Sequence, residues 1–163
     1  LTNPPFSMKY EQKDSNEKRI LEQYEVAFLN GKLSQSLKSN LMFLERYHNL
    51  LKPGCKLLTI IDESVLNTEG QGKSMQNFRM WLRKKFIIRA IISLPKNTFV
   101  NADTLVKTSV LYLTKKINED KTQPKVFMAI SKDVGHTDSG RIISEFGDLD
   151  KILHNFIKFQ NGL

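Results

Sequence analysis

Between residues 37 and 114 the apolar residues alternate between two periods, and that alternation limits the fold more than any other feature of this 163-residue chain. Leu37, Leu41, Leu44, His48 and Leu51 form one helical stripe, widened by Phe43, Tyr47 and Leu50 and stopped by Lys52-Pro53-Gly54. Lys56 to Ile61 is a short β-prone run with apolar residues on both faces, which predicts a central parallel strand covered on both sides. Met75, Phe78, Leu82 and Phe86 return to helical spacing and leave Arg79, Arg83 and Lys84 for an outer face. Ile87 to Leu94 reads as a second buried strand closed by Pro95, and Thr108 to Thr114 as a third, but Lys96 to Lys107 between them has no helical stripe. A parallel return needs a crossover of about a dozen residues, usually a helix, so the third strand is expected to be antiparallel. The order helix, strand, helix, strand, loop, antiparallel strand specifies an α/β fold around an open sheet.

The flanks are less regular. Lys9 to Arg19 is charged and is expected to be a mobile loop or a frayed helix start; Ile20, Leu21, Tyr24, Ala27 and Phe28 then recur at helical spacing, with Gly31 as the stop. Asp62 to Lys73 is polar, contains Gly70 and Gly72, and is expected to be a loop at the carboxyl end of the strand before it. After a polar linker, Asn118 to Gln123, a further strand is expected over Lys125 to Ile130, and Asp148 is expected to cap a last helix whose apolar face is Leu149, Ile152, Leu153, Phe156 and Ile157.

No run approaches the roughly 18 apolar residues of a membrane-spanning helix, so no membrane association is expected. The single cysteine, Cys55, excludes an internal disulfide and a multi-cysteine zinc site, which suits a reducing cytoplasm. The chain starts at Leu1 with nothing like a signal peptide after it, and an upstream portion is expected to exist. The net charge of +8 is uneven: residues 62 to 116 hold 10 of the 25 basic side chains and only 4 of the 17 acidic ones. A basic field of that kind suits a polyanion such as nucleic acid, although a merely solvated surface fits the charge equally well.

Asn3-Pro4-Pro5-Phe6 is the first candidate for chemistry. Two consecutive prolines fix φ twice and remove two donors, so the segment is a stiff extended turn. It can hold an amide and an aromatic face at set positions beside a planar substrate, or simply be a rigid surface turn. The other constellations are weaker. His48 lies on an apolar stripe and reads as a core or interface histidine. His136 and Asp138, in the run Gly135 to Gly140, sit among turn-forming residues. No metal-ligand spacing occurs. Arg79, Arg83, Lys84, Lys85 and Arg89 either line a phosphate path or make up the wet face of a helix.

With Asn3-Pro4-Pro5-Phe6 come Phe43 to Arg46, Leu51 to Gly54 followed by Lys56 to Ile61, Ser64 to Asn67, Phe78-Arg79, Leu94-Pro95, Asn97 to Phe99 and Lys107 to Leu111. In this order, over residues 1 to about 116, the chain resembles the catalytic domain of N6-adenine DNA methyltransferases, most of all the modification subunit of type I restriction-modification systems. The resemblance implies a Rossmann-like, S-adenosylmethionine-dependent methyltransferase fold, present from its fourth strand onward and including its antiparallel strand. It divides the chain into residues 1–116, the second half of the catalytic domain, and 117–163, an extension with a strand and an amphipathic helix. It also implies methyl transfer from S-adenosylmethionine to N6 of an adenine flipped out of double-stranded DNA, an extrusion that costs a few kcal/mol.

By matching position, the resemblance makes Asn3, Pro4, Pro5 and Phe6 the catalytic segment. Asn3 and the Pro4 carbonyl would accept hydrogen bonds from the adenine amino group, with Asn3 also beside the cofactor, and Phe6 would stack on the base. Phe99 would be a second wall for that base, or else a ring tucked beneath its own loop. Lys96 and Lys107, flanking that loop, rank as DNA contacts. The family's partners imply a separate specificity subunit and a restriction subunit. The family's glycine-rich cofactor turn would precede Asn3, and Gly70-Gln71-Gly72 does not replace it, so the isolated chain is expected to be inactive. Cys55 stands where the family usually has a second glycine, and Asp62 where a proline is common. Two rival readings stay open: a methyltransferase of the same fold acting on RNA or a protein amide, and a non-catalytic nucleic-acid-binding or scaffolding module.

Overall fold

The computed structural model describes residues 1–6, 8–67 and 73–162. Its elements in chain order are β1 (Lys9–Glu11), α1 (Ser15–Leu21), β2 (Phe28–Leu29), β3 (Lys32–Leu33), β4 (Ser36–Lys38), α2 (Ser39–Leu50), β5 (Lys56–Asp62), α3 (Lys73–Lys85), β6 (Phe86–Ser93), β7 (Thr108–Lys115), β8 (Phe127–Ile130) and α4 (Leu149–Gln160). Short 3₁₀ stretches lie at Glu25–Ala27, Glu63–Val65 and Lys96–Ala102.

The main sheet has the order β5-β7-β6-β8. β7 runs antiparallel to both neighbours, with Ile61 opposite Ser109 and Ile92 opposite Val110, and β8 runs parallel to β6. The connection from β6 to β7 carries only the 3₁₀ stretch Lys96–Ala102 and no crossover helix, in keeping with β7 lying antiparallel between β5 and β6. Leu57, Ile61, Leu111 and Leu113 are buried together with Leu41 and Leu44 of α2 and with Phe78, Trp81 and Leu82 of α3.

β5 departs from expectation on one face. Leu57, Thr59 and Ile61 are buried, but Leu58 between them is 37% exposed, so the strand is covered on one side only. Its parallel neighbour is Thr2: the Thr2 N–H donates to the Leu58 carbonyl at 2.9 Å and the Ile60 N–H to the Thr2 carbonyl at 3.1 Å. The Thr2 and Thr59 hydroxyls add a 2.8 Å hydrogen bond.

The helix expected over residues 20 to 31 does not form. α1 starts where Asp14 accepts from the Asn16 and Glu17 N–H groups, so the stretch expected to be a loop or frayed start carries a capped helix, with β1 before it. α1 ends at Leu21, and Phe28 pairs with Leu33 in a hairpin whose turn is Asn30-Gly31, both at positive φ (49° and 76°). That turn matches the right-handed twist of the flanking strands, and it overrides the helical spacing of the apolar residues before it. The Asp148 side chain does not cap α4; it accepts from the Ser131 hydroxyl at 2.7 Å and the Lys132 N–H at 2.8 Å, tying the start of the helix to the end of β8. Phe156 of α4 meets Tyr112 and Phe127 edge-on, so α4 covers the sheet beside β7 and β8. The pair Gly70 and Gly72 lies outside the described residues. Among the described residues no helix is long and apolar enough to cross a membrane.

Candidate active site

Asn3 to Phe6 leave the edge of the main sheet directly after the Thr2 bridge to β5. Pro4 is buried, while Asn3 and Pro5 are exposed. The start of α2 fixes the far side of the segment: the Ser39 hydroxyl donates to the Pro5 carbonyl at 3.2 Å, and the Ser39 N–H to the Met8 carbonyl at 2.9 Å. Among the described residues nothing hydrogen-bonds the Asn3 side chain, so its amide is presented to solvent from a stiff support.

Phe6 meets Phe99 across 93 residues of sequence. The ring centroids lie 6.0 Å apart with planes inclined at 54°. Aromatic pairs in direct contact have centroids about 4.5–7 Å apart, so the two rings touch and no planar group fits between them in this arrangement. Phe99 sits in the Lys96–Ala102 stretch, where no residue is buried, so its ring is not tucked into a core beneath the loop.

The base of this corner is tied by charge. Lys38, the residue before Ser39, donates to Asp62 at 2.9 Å and to the Ser64 hydroxyl at 2.9 Å. Burial pushes the Asp62 carboxyl up, but the Lys38 ammonium and the Ser64 N–H, 2.7 Å from the other oxygen, together hold it below the usual aspartate value. Asp62, where a proline was expected from the resemblance, thus starts the turn after β5 and fastens α2 to it. On the other side Lys107 donates to the Leu94 carbonyl and lies 3.6 Å from Glu63. Lys96 is exposed.

The remaining basic residues are largely engaged with the protein itself. Arg79 donates to the carbonyls of Val65 and Asn67, Lys84 and Lys85 pair with Glu119, and Arg89 donates to the Thr114 hydroxyl. Of the helical cluster named as a phosphate path, Arg83 is exposed on α3. His48 packs edge-on against Trp81 and Phe86 at 5.8 and 5.3 Å, and its burial lowers the imidazole pKa, as suits a packing residue. Among the described residues no group of three or more His, Cys, Asp or Glu side chains could hold a metal ion.

Sequence reasoning passed over Glu45, which is 6% exposed and accepts from the N–H groups of Glu25 and Val26 at 2.9 and 2.8 Å. It clamps the turn before β2 onto α2. The signal was a carboxylate beside the buried stripe residue Leu44, a place where a charge needs partners.

Compared with known families, the chain matches the model of the N-6 DNA methylase family over residues 1–162. No curated protein sequence matches it. Among solved structures it is similar to the methyltransferase subunit of the type I restriction-modification system of Streptococcus thermophilus: 24% identity and a TM-score of 0.68, over 95% of this chain and 30% of that one. It is similar as well to a chain in a structure solved for the assembly and conformational transition of the type I restriction-modification system (18% identity, TM-score 0.71, 99% of this chain and 30% of that one). A Listeria monocytogenes protein assigned as a class I S-adenosylmethionine-dependent methyltransferase shares 19% identity with a TM-score of 0.57, over 85% of this chain and 36% of that one. The chain therefore spans about a third of the length of these structures. Its fold is a part of the Rossmann-like methyltransferase fold, as the resemblance implied, and the expected antiparallel strand lies between two others.

Proposed function

The chain belongs to the N-6 DNA methylase family, and from that premise we propose that it receives the target base of a DNA adenine-N6 methyltransferase working in a type I restriction-modification complex. The observation that carries the reading is the meeting of Phe6 and Phe99 at 6.0 Å beside the unpaired amide of Asn3. In this reading an adenine extruded from double-stranded DNA stacks on Phe6, with Phe99 as its second wall. The Asn3 side-chain oxygen and the Pro4 carbonyl accept hydrogen bonds from the amino group, which draws electron density to N6 and turns its lone pair outward. Because the rings touch, a base enters between them only when the Phe99 loop gives way, since the Phe6 support is fixed by Pro4, Pro5 and Ser39.

S-adenosylmethionine, the proposed donor, supplies the methyl group as an electrophilic sulfonium. The described residues fit the acceptor side of such a site: an unpaired amide, a carbonyl and an aromatic face on one rigid segment. In this reading Asn3 also lies beside the donor. Residues 1–116 carry this acceptor half and 117–163 form an extension to it. A specificity subunit chooses the DNA site, and a restriction subunit acts on DNA that lacks the mark. Lys96, exposed beside the Phe99 loop, contacts a phosphate; Lys107 reaches one by leaving Glu63.

The test takes the parent protein with its partner subunits, unmethylated DNA and S-adenosylmethionine, and weighs the nucleosides released afterwards. N6-methyladenine is expected, and Asn3→Ala is expected to cut its rate about 10²–10³-fold, the usual cost of one aimed polar group, with folding and cofactor binding retained. Normal cofactor binding with no methylated base on any DNA would send the search to RNA and protein acceptors.

A further inference from the structure

We infer that the turn at residues 136–140 in the C-terminal extension positions the Phe99 loop, and that His136, Asp138 and Gly140 are positioning residues for the second wall of the base site. The inference deepens the proposed function and rests on it.

The Phe99 loop is held from within only by local bonds, among them those of the Thr98 hydroxyl and N–H to the Pro95 carbonyl and of the Thr104 N–H to the Phe99 carbonyl. It is a 3₁₀ stretch with no buried side chain, and Phe99 itself departs from helical geometry (φ −113°, ψ 24°). Such short stretches have poor hydrogen-bond geometry and open easily when nothing packs beneath them. Three contacts from one turn supply the missing support. Asn97 donates to the Asp138 carboxylate at 2.9 Å, His136 Nε2 lies 3.3 Å from the Thr98 carbonyl, and the Asn101 amide donates to the Gly140 carbonyl at 3.3 Å. The contacted residues bracket Phe99 on both sides, and the ring is left to face Phe6.

The turn is built to bear a load. The Ile143 and Ser144 N–H groups both donate to the Gly135 carbonyl, Thr137 and Arg141 bond each other, and Asp133 accepts from the Gly135 N–H. Asp148 then fastens the whole segment to the end of β8 through Ser131 and Lys132. Gly140 has φ +80°, a conformation that favours glycine, and a Cβ there would lie 1.8 Å from the Asn101 side-chain oxygen, so any larger residue would push the Asn101 amide off its contact. A solvated turn with no task would have no need of three directed contacts to residues about 40 positions earlier.

The experiment uses the parent protein with its partner subunits and four variants: Asp138→Ala, Asp138→Asn, which keeps the accepting oxygen, Phe99→Ala, and the double variant of Asp138→Ala with Phe99→Ala. Hydrogen exchange of the 97–104 amides is expected to quicken in Asp138→Ala and to stay as in the natural protein in Asp138→Asn, with β6 and β7 equally protected in all. The kcat/KM for DNA is expected to fall about fivefold in Asp138→Ala, the effect of one modest hydrogen bond, to recover in Asp138→Asn, and to fall no further when Asp138→Ala is added to Phe99→Ala. S-adenosylmethionine binding should not move.

Unchanged exchange in Asp138→Ala would overturn the support itself. Faster exchange with unchanged kcat/KM, or a full Asp138→Ala penalty in the Phe99→Ala background, would overturn positioning through Phe99. A natural complex that forms no N6-methyladenine would instead overturn the methylation reading and the base-site role with it, while the exchange result would still decide whether the turn holds the loop.

Discussion

Phe6 and Phe99 touch, yet the chain holds the two rings by unlike means. The Phe6 support is written into covalent geometry and the sheet: two prolines fix φ, Thr2 is paired to β5, Pro4 is buried, and α2 holds the Pro5 carbonyl. The Phe99 support is a loop without a buried side chain, held by polar contacts from a turn in the extension. In the proposed reading rigid support suits the group that aims a lone pair, because small errors of direction cost rate steeply. Support by surface contacts suits, in the same reading, the ring that yields to let a base in. If the comparison holds, damage on the Phe6 side should cost stability and activity together, and damage on the Phe99 side activity almost alone.

The largest loss of stability is expected from Glu45→Ala in α2, the helix whose start holds the Pro5 carbonyl, because it leaves the part-buried Glu25 and Val26 N–H groups without a partner. A cost of about 2–3 kcal/mol in urea denaturation is expected, with Glu45→Gln costing less because it keeps one accepting oxygen. Pro4→Gly comes next, at about 2 kcal/mol, since it both empties a buried site and frees the unfolded chain. In contrast, Asp138→Ala should stay within about 0.5 kcal/mol, as exposed substitutions do. Equal stability losses on both sides would break the comparison.

How legible the corner was in the sequence follows the same division. The helix α2, the strands β5 to β7 and the antiparallel return were readable because each buries a periodic face or follows a loop without the helical stripe of a crossover. Asn3 to Phe6 stood out because proline stiffness is a local property. Residues 9 to 38 were not readable from period alone: β1 to β4 are two or three residues long, and the Asn30-Gly31 turn outweighs an apparent helical stripe. The contacts of Asn97, Thr98 and Asn101 with 136–140 could not be read at all, since hydrogen bonds between distant exposed polar residues leave no pattern in a chain. β5 looked covered on both sides because Leu58 and Ile60 are apolar, although Leu58 stays 37% exposed.

The rings themselves sharpen the comparison at a smaller scale. Each stacking surface is worth about 1–3 kcal/mol per base, so Phe6→Ala and Phe99→Ala should each weaken capture of an extruded adenine about tenfold or more, read as KM for DNA. Phe99→Leu, which keeps an apolar wall, should recover part of the loss. Phe6→Leu should recover less if, as proposed, the base lies against the ring on the rigid side.

A further, pH-dependent effect separates the two ion pairs at the carboxyl end of β5. Asp62 ties Lys38, and through it Ser39 and the Phe6 side, whereas Glu63 meets Lys107 on the Phe99 side. Because the Asp62 carboxyl is held below its ordinary value in the folded chain, the stability it contributes is fully present above the unfolded aspartate pKa of about 3.9 and is lost as pH falls through the lower folded value. Asp62→Asn removes the charge while keeping an acceptor for the Ser64 N–H. It should therefore cost about 0.5–1 kcal/mol between pH 5 and 7, a figure kept small by the partial exposure of Lys38. The gap between the two proteins in urea denaturation should narrow below about pH 4. A gap that stays constant down to pH 3 would mean that Asp62 acts through its turn alone, and that the Phe6 side owes its rigidity to the prolines and the sheet without the ion pair.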